Sequence, residues 1–264
     1  MLRPRIIPCL LVQNDGLVKT RKFGEPKYVG DPINAVKIFN EKEVDEIMVV
    51  DIDASVRRRE PDLQLIKNLA AECRMPLCYG GGVKTVEQVE RIISLGVEKV
   101  AMSSAAIDRP EIIAEAATAV GSQSIVVVMD VKENNSRNGH QVFTHNGTKS
   151  VRFNPVELAR IAEQQGAGEL VINSIDRDGM MSGYDLEIAG KVRKAVNLPM
   201  TVLGGAGSLH DISTLIQSLG TIGAAAGSLF VFKGKLRAVL INYPSRQERD
   251  VLIAGATRKE LQAS

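Results

Sequence analysis

The sequence is poor in cysteine, and it carries no excess of either charge and no long apolar run. Its three cysteines, Cys9, Cys73 and Cys78, are odd in number and too scattered for a disulfide framework or a zinc site. The 33 basic and 31 acidic side chains leave a formal net charge of +2, which predicts no basic surface for nucleic acid. No stretch reaches the length of a membrane span, and the N-terminus lacks a signal-peptide pattern. We therefore expect a cytoplasmic protein without a metal site, a bound cofactor, or a nucleic-acid or membrane partner.

Eight short apolar runs alternate with amphipathic stretches along the 264 residues. The runs are continuously apolar, which is typical of parallel strands covered by helices, and they lie at residues 5–12, 46–52, 76–79, 99–102, 124–131, 169–175, 199–203 and 221–226. Helices are predicted at residues 85–95, 109–120, 155–165, 186–196 and 208–219. This alternation and this length predict an α/β fold, a single (β/α)₈ TIM barrel.

The two halves of the chain repeat each other at an offset of about 120–125 residues, as a duplicated architecture predicts. The segment with Gly80-Gly81-Gly82 returns as the segment with Gly204-Gly205-Ala206-Gly207, and Ser103-Ser104 returns as Gly227-Ser228. We expect one domain over residues 1–264, made of half-barrels at about 1–120 and 121–245, with a C-terminal tail at about 246–264.

The repeated glycine segments predict two anion sites. Glycine lets backbone N–H groups approach a phosphate without obstruction by a Cβ atom, and barrel phosphate sites commonly follow strands in this way. A single Gly-Gly pair is weak evidence because glycines also make tight turns. Four segments in symmetric positions favour a phosphorylated small-molecule substrate with a phosphate at each end.

Two connections are long and follow strand ends half a chain apart. Residues 13–31 are interpreted as a mobile lid, whose Lys19, Arg21, Lys22 and Lys27 could close over a phosphorylated substrate; a solvated basic loop is the alternative. In residues 132–150 the pairs Asn138-Gly139 and Asn146-Gly147 predict turns around a small hairpin.

A carboxylate ends the fifth apolar run. Asp130 is the candidate general acid or base, and the alternative is a structural carboxylate that accepts backbone N–H bonds. Asp51, Asp53 and Asp178 crowd the same end of neighbouring strands, and such crowding predicts a raised pKa for Asp130.

Specific motifs over residues 1 to about 240 resemble one family. The motifs are Arg5-Ile6-Ile7-Pro8-Cys9-Leu10, Val49-Val50-Asp51-Ile52-Asp53-Ala54-Ser55, Gly80-Gly81-Gly82, Ser174-Ile175-Asp176-Arg177-Asp178-Gly179, Ser182-Gly183-Tyr184-Asp185 and Gly204-Gly205-Ala206-Gly207. They resemble the cyclase subunit of imidazole glycerol phosphate synthase. The resemblance implies a duplicated (β/α)₈ barrel that takes ammonia from a partner glutaminase to a bisphosphorylated nucleotide, yielding imidazole glycerol phosphate and an aminoimidazole carboxamide nucleotide.

The resemblance also implies site residues. It implies catalytic or barrel-mouth roles for Asp130, Lys19, Asp51 and Cys9. Phosphate or substrate binding is implied for ten residues: Gly81, Gly82, Ser103, Ser104, Asp178, Gly179, Gly204, Gly205, Gly227 and Ser228. Ser103 stands where the family usually has asparagine.

The family's ammonia entrance is also matched. Its four-charge gate at the N-terminal end of the barrel maps onto Arg5, Glu46, Lys99 and Glu169, and all four charges are present. Glu98 stands where the family has an acidic contact with its glutaminase. A stabilising role is the alternative at this end of a barrel. The resemblance thus implies a heterodimer with a glutaminase subunit, with Glu98 near the interface.

Two departures set this chain apart. The family's other catalytic aspartate falls on Leu11, which cannot move a proton, and Arg57-Arg58-Arg59 replaces smaller polar residues at the catalytic rim. Arginine clusters bind carboxylate or phosphate, although a solvated face is the commoner outcome. Together these departures resemble a paralogous branch in which ammonia converts a sugar N-acetyl group to an acetamidino group. Ordinary cyclisation in histidine biosynthesis and a non-catalytic scaffold for the glutaminase are the alternatives.

Overall fold

The computed structural model describes residues 3–134, 139–234 and 236–263, with side chains described as far as residue 256. Fourteen strands are present in these ranges: β1 Arg5–Gln13, β2 Gly16–Lys19, β3 Lys27–Gly30, β4 Ile47–Asp51, β5 Leu77–Gly80, β6 Lys99–Met102, β7 Ile125–Asn134, β8 Gly139–Thr144, β9 Lys149–Ser150, β10 Glu169–Ser174, β11 Met200–Leu203, β12 Gly223–Ala226, β13 Phe232–Lys233 and β14 Ala238–Val239. Ten α-helices accompany them: α1 Pro32–Glu41, α2 Leu63–Glu72, α3 Val86–Ser94, α4 Ser104–Asp108, α5 Glu111–Val120, α6 Pro155–Gln164, α7 Leu186–Arg193, α8 Leu209–Leu219, α9 Ser228–Val231 and α10 Arg246–Ala263.

Eight parallel strands close into a barrel. Their order is β1, β4, β5, β6, β7, β10, β11 and β12, and β12 returns to pair with β1, with Arg5 opposite Gly223. Each barrel strand overlaps one of the eight apolar runs, and the (β/α)₈ TIM-barrel prediction is confirmed.

The strands bury apolar side chains on both faces. The outer face packs against the helices in one large cluster, which includes Phe39, Leu10 and Tyr79. A second cluster fills the inside of the barrel with Ile7, Cys9, Met48, Cys78, Ala101, Val126, Val171 and Ala225. Burial on both faces explains why the strands are continuously apolar in sequence instead of alternating.

Polar caps fix where three of the helices begin. Thr85, Asn154 and Ser208 cap α3, α6 and α8, and each exchanges hydrogen bonds with the third helical residue in a capping box. These caps satisfy backbone N–H groups that have no partner inside the helix. The helices therefore start within one or two residues of their predicted positions.

The long connections are ordered into small antiparallel additions. In the lid, defined here as residues 13–31, β2 pairs with β1 and with β3, whose Tyr28 is 67% exposed. In the second connection, where a small hairpin was predicted, β7, β8 and β9 pair as three antiparallel strands, with a turn at Asn146-Gly147 between β8 and β9. Asn138 of the other predicted turn lies outside the described residues.

The chain ends in a helix where the sequence predicted only a tail. Helix α10 packs against α8. Across the ranges that the structure describes, none of the helices combines the length and apolar character needed to cross a bilayer.

Replacing Thr85 by alanine is expected to lower the free energy of unfolding by about 1 kcal/mol, because the α3 capping box loses its hydroxyl. Urea denaturation measures the change. Thr118→Ala, at an exposed position in the last turn of α5, is the matched control and should stay within about 0.5 kcal/mol of the wild type. Equal effects of the two changes would contradict the capping argument.

Candidate active site at the carboxyl ends of the barrel strands

A cavity of about 1250 Å³ lies at the carboxyl ends of the barrel strands and opens to solvent. Residues of both chain halves line it, because the ends of all parallel strands of a barrel meet on one face. Every catalytic and phosphate-binding candidate from the sequence lines it: Cys9, Lys19, Asp51, Gly81, Gly82, Ser103, Ser104, Asp130, Asp178, Gly179, Gly204, Gly205, Gly227 and Ser228. The structure thus brings together residues that are up to 219 positions apart in sequence.

Asp130 lies in the cavity wall near the end of the regular barrel part of β7. Burial raises the pKa of its carboxyl group to about 6, helped by the nearby charge of Asp178, while the hydrogen bond from Asn173 opposes the rise. Asn173 Nδ2 donates to Asp130 Oδ1 at 2.9 Å. Since a carboxyl group that titrates near 6 can both give and take a proton close to neutral pH, Asp130 has the properties of a general acid or base.

The lid covers one side of the cavity and is attached to the turn after β10. Thr20 Oγ1 donates to Asp178 Oδ2 at 2.6 Å, the Phe23 amide donates to the same oxygen at 3.2 Å, and Lys22 N donates to the Asp178 carbonyl at 2.9 Å. The carboxylate of Asp178 therefore fixes the lid. Of the four basic residues predicted there, Lys19 lines the cavity, whereas Arg21, Lys22 and Lys27 are exposed.

Lys19 of the lid and Cys9 of β1 form a buried pair. Lys19 Nζ donates to the Cys9 carbonyl at 2.6 Å, and burial lowers the pKa of the ammonium group. Burial also raises the pKa of the Cys9 thiol to about 11. The thiol is therefore protonated at neutral pH, so a thiolate role for Cys9 is not supported.

The two glycine loops have the same backbone form. Gly81 and its counterpart Gly204 have φ values of +116° and +92°, and a Cβ atom on either would clash with a backbone carbonyl, of Asp51 and Ser174 respectively. Only glycine fits such positions without strain. Ser104 begins α4 and Ser228 begins α9, again at matching positions in the two halves.

The floor of the cavity is aliphatic at the position where the resemblance implied a second aspartate. Leu11, Val50, Val128 and Leu203 line the cavity and pack on the apolar cluster inside the barrel. We call these four residues the mouth ring. Leu11 places no ionisable group in it, so Asp130 has no acidic partner from β1.

The rim arginines contact carboxylates of the protein itself. Arg57 Nη2 lies 3.0 Å from Asp53 Oδ2, and Arg59 Nη2 lies 3.6 Å from Asp51 Oδ2. All three arginines are exposed, and none of them is among the described residues that line the cavity.

The four charges at the other end of the barrel form one network, the charge quartet of Arg5, Glu46, Lys99 and Glu169. Arg5 pairs with Glu46 and, at 2.7 Å, with Glu169; Lys99 pairs with both carboxylates at 2.8–2.9 Å. Burial alone would lower the pKa of Lys99 and raise that of Glu169. The opposite charges outweigh it, so the pKa of Lys99 is raised and that of Glu169 lowered. Exposed Glu98 accepts from the Leu77 amide at 2.7 Å beside this network.

A second, much smaller cavity lies inside the barrel next to the quartet. It is lined by Ile7, Glu46, Met48, Cys78, Val126, Glu169, Val171 and Thr201. Met48 also lines the large cavity, so this residue borders both spaces.

Sequence reasoning missed three contributors. Asn173 holds Asp130, Thr20 holds the lid, and Thr201 Oγ1 donates to Glu169 Oε1 at 2.6 Å. Asn173 could have been found, because it follows Glu169 and Val171 at the two-residue spacing of side chains on one face of a strand. The partners of the two threonines depend on contacts between segments distant in sequence, which no local pattern encodes.

Lys99→Met is expected to cost about 3–5 kcal/mol of folding free energy, because it leaves Glu46 and Glu169 buried with one cation. Urea denaturation at pH 7 measures this. The matched control is Lys37→Met, which removes an exposed pair with Glu72 and should change stability by less than about 0.5 kcal/mol. A cost for Lys99→Met no larger than this control would show that the quartet does not stabilise the fold.

Asp130→Asn is expected to stabilise the protein at pH 7.5 by roughly 2–3 kcal/mol and to have little effect near pH 4. The pKa of Asp130 is about 6 in the folded protein against an ordinary 3.8, so its contribution to stability is present below pH 4 and is lost as the pH rises through 6. Urea denaturation across this range measures the difference. Exposed Asp108→Asn is the control. A pH-independent difference would contradict the raised pKa.

Comparison with known proteins identifies a matching family and several similar sequences. The model of the family described as "Histidine biosynthesis protein" matches residues 5–237. A Leptospira interrogans protein named "Putative imidazole glycerol phosphate synthase subunit HisF" is 57% identical over 252 residues, 96% of this chain and 99% of its own. A Pseudomonas aeruginosa protein named "Putative imidazole glycerol phosphate synthase subunit hisF2" is 51% identical over 95% of this chain and 100% of its own.

A relative whose name lacks the word "Putative" is less similar in sequence. "Imidazole glycerol phosphate synthase subunit HisF" of Lactococcus lactis subsp. cremoris is 40% identical over 230 residues, 87% of this chain and 89% of its own. The matches span most of the barrel in every case. The chain therefore belongs to the histidine biosynthesis protein family, as a member of its HisF branch of imidazole glycerol phosphate synthase subunits.

Proposed function

We propose that this barrel uses ammonia from a partner glutaminase in an amidotransfer on a phosphorylated sugar substrate, converting an N-acetyl group to an acetamidino group. The observation that carries the proposal is the contrast between the two ends of the barrel. The charge quartet is complete, whereas the mouth ring has Leu11 where ring closure would need a second acid.

Two cavities of the barrel support the proposed ammonia route. The small cavity adjoins the quartet, the large cavity opens at the mouth, and Met48 alone lines both among the residues that the structure describes. A glutaminase docked beside Glu98 would deliver ammonia at the quartet. Thioether side chains are flexible, so Met48 can move aside without a change in the backbone.

The chemistry at the mouth needs one proton-transfer group and an apolar floor. Ammonia attacks the carbonyl carbon of an amide, the C–O bond breaks, and the oxygen leaves as water after it has received the two protons that the incoming nitrogen gives up. Asp130, with its raised pKa, is suited to carry these protons one after the other from the nitrogen to the oxygen. The aliphatic mouth ring suits the methyl group of an acetamido substituent, and the glycine loops suit its phosphates.

Ordinary cyclisation in histidine biosynthesis is the second candidate, and one observation favours it. The L. lactis relative, named as an imidazole glycerol phosphate synthase subunit, matches 87% of this chain. In that case Asp130 would have to carry both proton transfers. A non-catalytic scaffold for the glutaminase is a weaker alternative, because a scaffold has no use for two anion loops and a titrating carboxyl group in an open cavity.

The test is turnover of the bisphosphorylated histidine-pathway nucleotide at high ammonium concentration, which bypasses the glutaminase. The wild type is expected to bind the nucleotide without turnover. Leu11→Asp is expected to raise cyclisation by about 10²–10⁴-fold, because it restores a second acid or base. Val50→Asp, which places a carboxylate elsewhere in the mouth ring, is the matched control and should give no gain.

Two outcomes contradict the proposal in different ways. Wild-type turnover within about tenfold of an ordinary cyclase would place the protein in histidine biosynthesis and make Leu11 a tolerated variant. Failure to bind any phosphorylated ligand would favour the scaffold. Binding without turnover directs the next assay to N-acetylated sugar nucleotides with ammonium, in which Asp130→Asn should abolish product formation.

A further inference from the structure

The three consecutive arginines after β4 differ in what they contact. Arg57 donates to Asn14 Oδ1 at 2.8 Å and pairs with Asp53, which ties the rim to the start of the lid. Arg58 is exposed and has a left-handed φ of 55°. Arg59 directs Nη2 at Asp51 Oδ2, 3.6 Å away.

We propose that Arg59 is a positioning residue that offsets the negative charge of Asp51 and so allows the glycine loop Gly81-Gly82 to bind a dianionic group of the substrate. The inference rests on the proposed function, because it takes this loop as one of two anion sites. It assigns a specific task to a rim arginine that does not itself line the cavity.

Both residues of the pair lie against the loop. A Cβ atom on Gly81 would clash with the carbonyl and the Cβ of Asp51, and a Cβ on Gly82 would lie 2.9 Å from the carbonyl oxygen of Arg59. A charge on Asp51 is therefore felt at the loop. Like charges at such separations repel by an amount that depends on local screening, and the repulsion is largest where water is excluded.

The second half of the barrel provides an internal comparison. There Gly204 approaches the backbone of Ser174 as Gly81 approaches that of Asp51. Ser174 is neutral and buried, so the second loop needs no compensating cation. The first loop carries a carboxylate at the corresponding place, and Arg59 supplies the opposite charge.

The surroundings of Asp51 make this compensation effective. Its Oδ1 accepts from the amides of Asp53 and Ala54 at 3.0 and 3.1 Å, which leaves Oδ2 for Arg59. Burial raises the pKa of Asp51, the charge of Asp53 adds to this, and Arg59 and the two amides oppose it. Burial and, after it, the charge of Asp51 raise the pKa of Tyr79 on the neighbouring strand.

The test is a sulfate titration monitored by NMR through the chemical shifts of backbone amides. Sulfate is used because it stays dianionic over the pH range of the experiment. Shifts of Gly81 and Gly82 report the first loop, and those of Gly204 and Gly205 report the second loop in the same molecule. Arg59→Gln is expected to weaken sulfate binding at the first loop roughly three- to tenfold at low salt and to leave sulfate binding at the second loop unchanged. Arg59→Lys should recover much of the loss.

Arg57→Gln is the matched control, since it removes a neighbouring arginine that pairs with Asp53 instead of Asp51. It should leave sulfate affinity at both loops unchanged. An equal loss in Arg57→Gln and Arg59→Gln would show a general effect of rim charge and overturn the specific role of Arg59.

Two further measurements separate charge compensation from a structural role. Adding Asp51→Asn to Arg59→Gln should restore sulfate affinity, because no negative charge is left to offset. In Arg59→Gln alone, affinity should recover as the pH falls and Asp51 becomes protonated. A loss that persists in the double variant and at low pH would overturn the inference.

The outcomes also distinguish this inference from the function on which it rests. If sulfate shifts both loops of the wild type and Arg59→Gln changes nothing, the inference fails and the proposed function stands. If sulfate shifts neither loop of the wild type, the anion sites of the proposed function are contradicted.

Discussion

Closure of the sheet between β12 and β1 is the constraint on which the rest of the structure depends. Strand β12 reads Gly223-Ala224-Ala225-Ala226, so it presents no side chain larger than methyl to either face. A Cβ atom on Gly223 would clash with Thr201, which shows how little space is left inside the barrel at this strand. Because the ring closes here, Arg5 of β1 reaches the carboxylate of Glu46, just before β4, and that of Glu169, at the start of β10, and the strand ends of both chain halves face one cavity.

Buried charged groups at the two ends of the barrel are paired with opposite charges to different degrees. At the N-terminal end, every member of the charge quartet has an opposite charge within reach, and the depressed pKa of Glu169 reflects that pairing. At the carboxyl end, burial leaves Asp130 with a raised pKa and lowers that of Lys19. Such unfavourable placements of charge cluster at functional sites, because the chemistry there requires groups that titrate near the working pH.

Much of this arrangement could be predicted from the sequence, for a physical reason. A parallel strand covered on both faces must be continuously apolar, so each barrel strand appears as a local run. The convergence of strand ends then places Gly81 and Gly205, or Asp51 and Asp130, in one cavity without further information. The resemblance to a family supplied the roles of residues such as Lys19, which composition alone would have left in a basic loop.

The remaining features depend on contacts that no local pattern contains. No strand was predicted within the lid, yet β2 and β3 pair onto an extension of β1, a pairing that requires the barrel to exist first. Helix α10 was expected to be a tail, and it packs against α8. The rim arginines were identified as a charge run, but only the structure shows that Arg57 and Arg59 contact different carboxylates.

The position of Tyr28 has an optical consequence. The chain contains no tryptophan and four tyrosines, so its intrinsic emission comes from tyrosine alone. Tyr79 and Tyr184 are buried and Tyr243 is half-buried, whereas Tyr28 stands 67% exposed on the lid. A water-soluble quencher added to the unmodified protein therefore acts mainly on one fluorophore, and that fluorophore sits on the segment covering the cavity. The native sequence thus contains a reporter of lid position that needs no label.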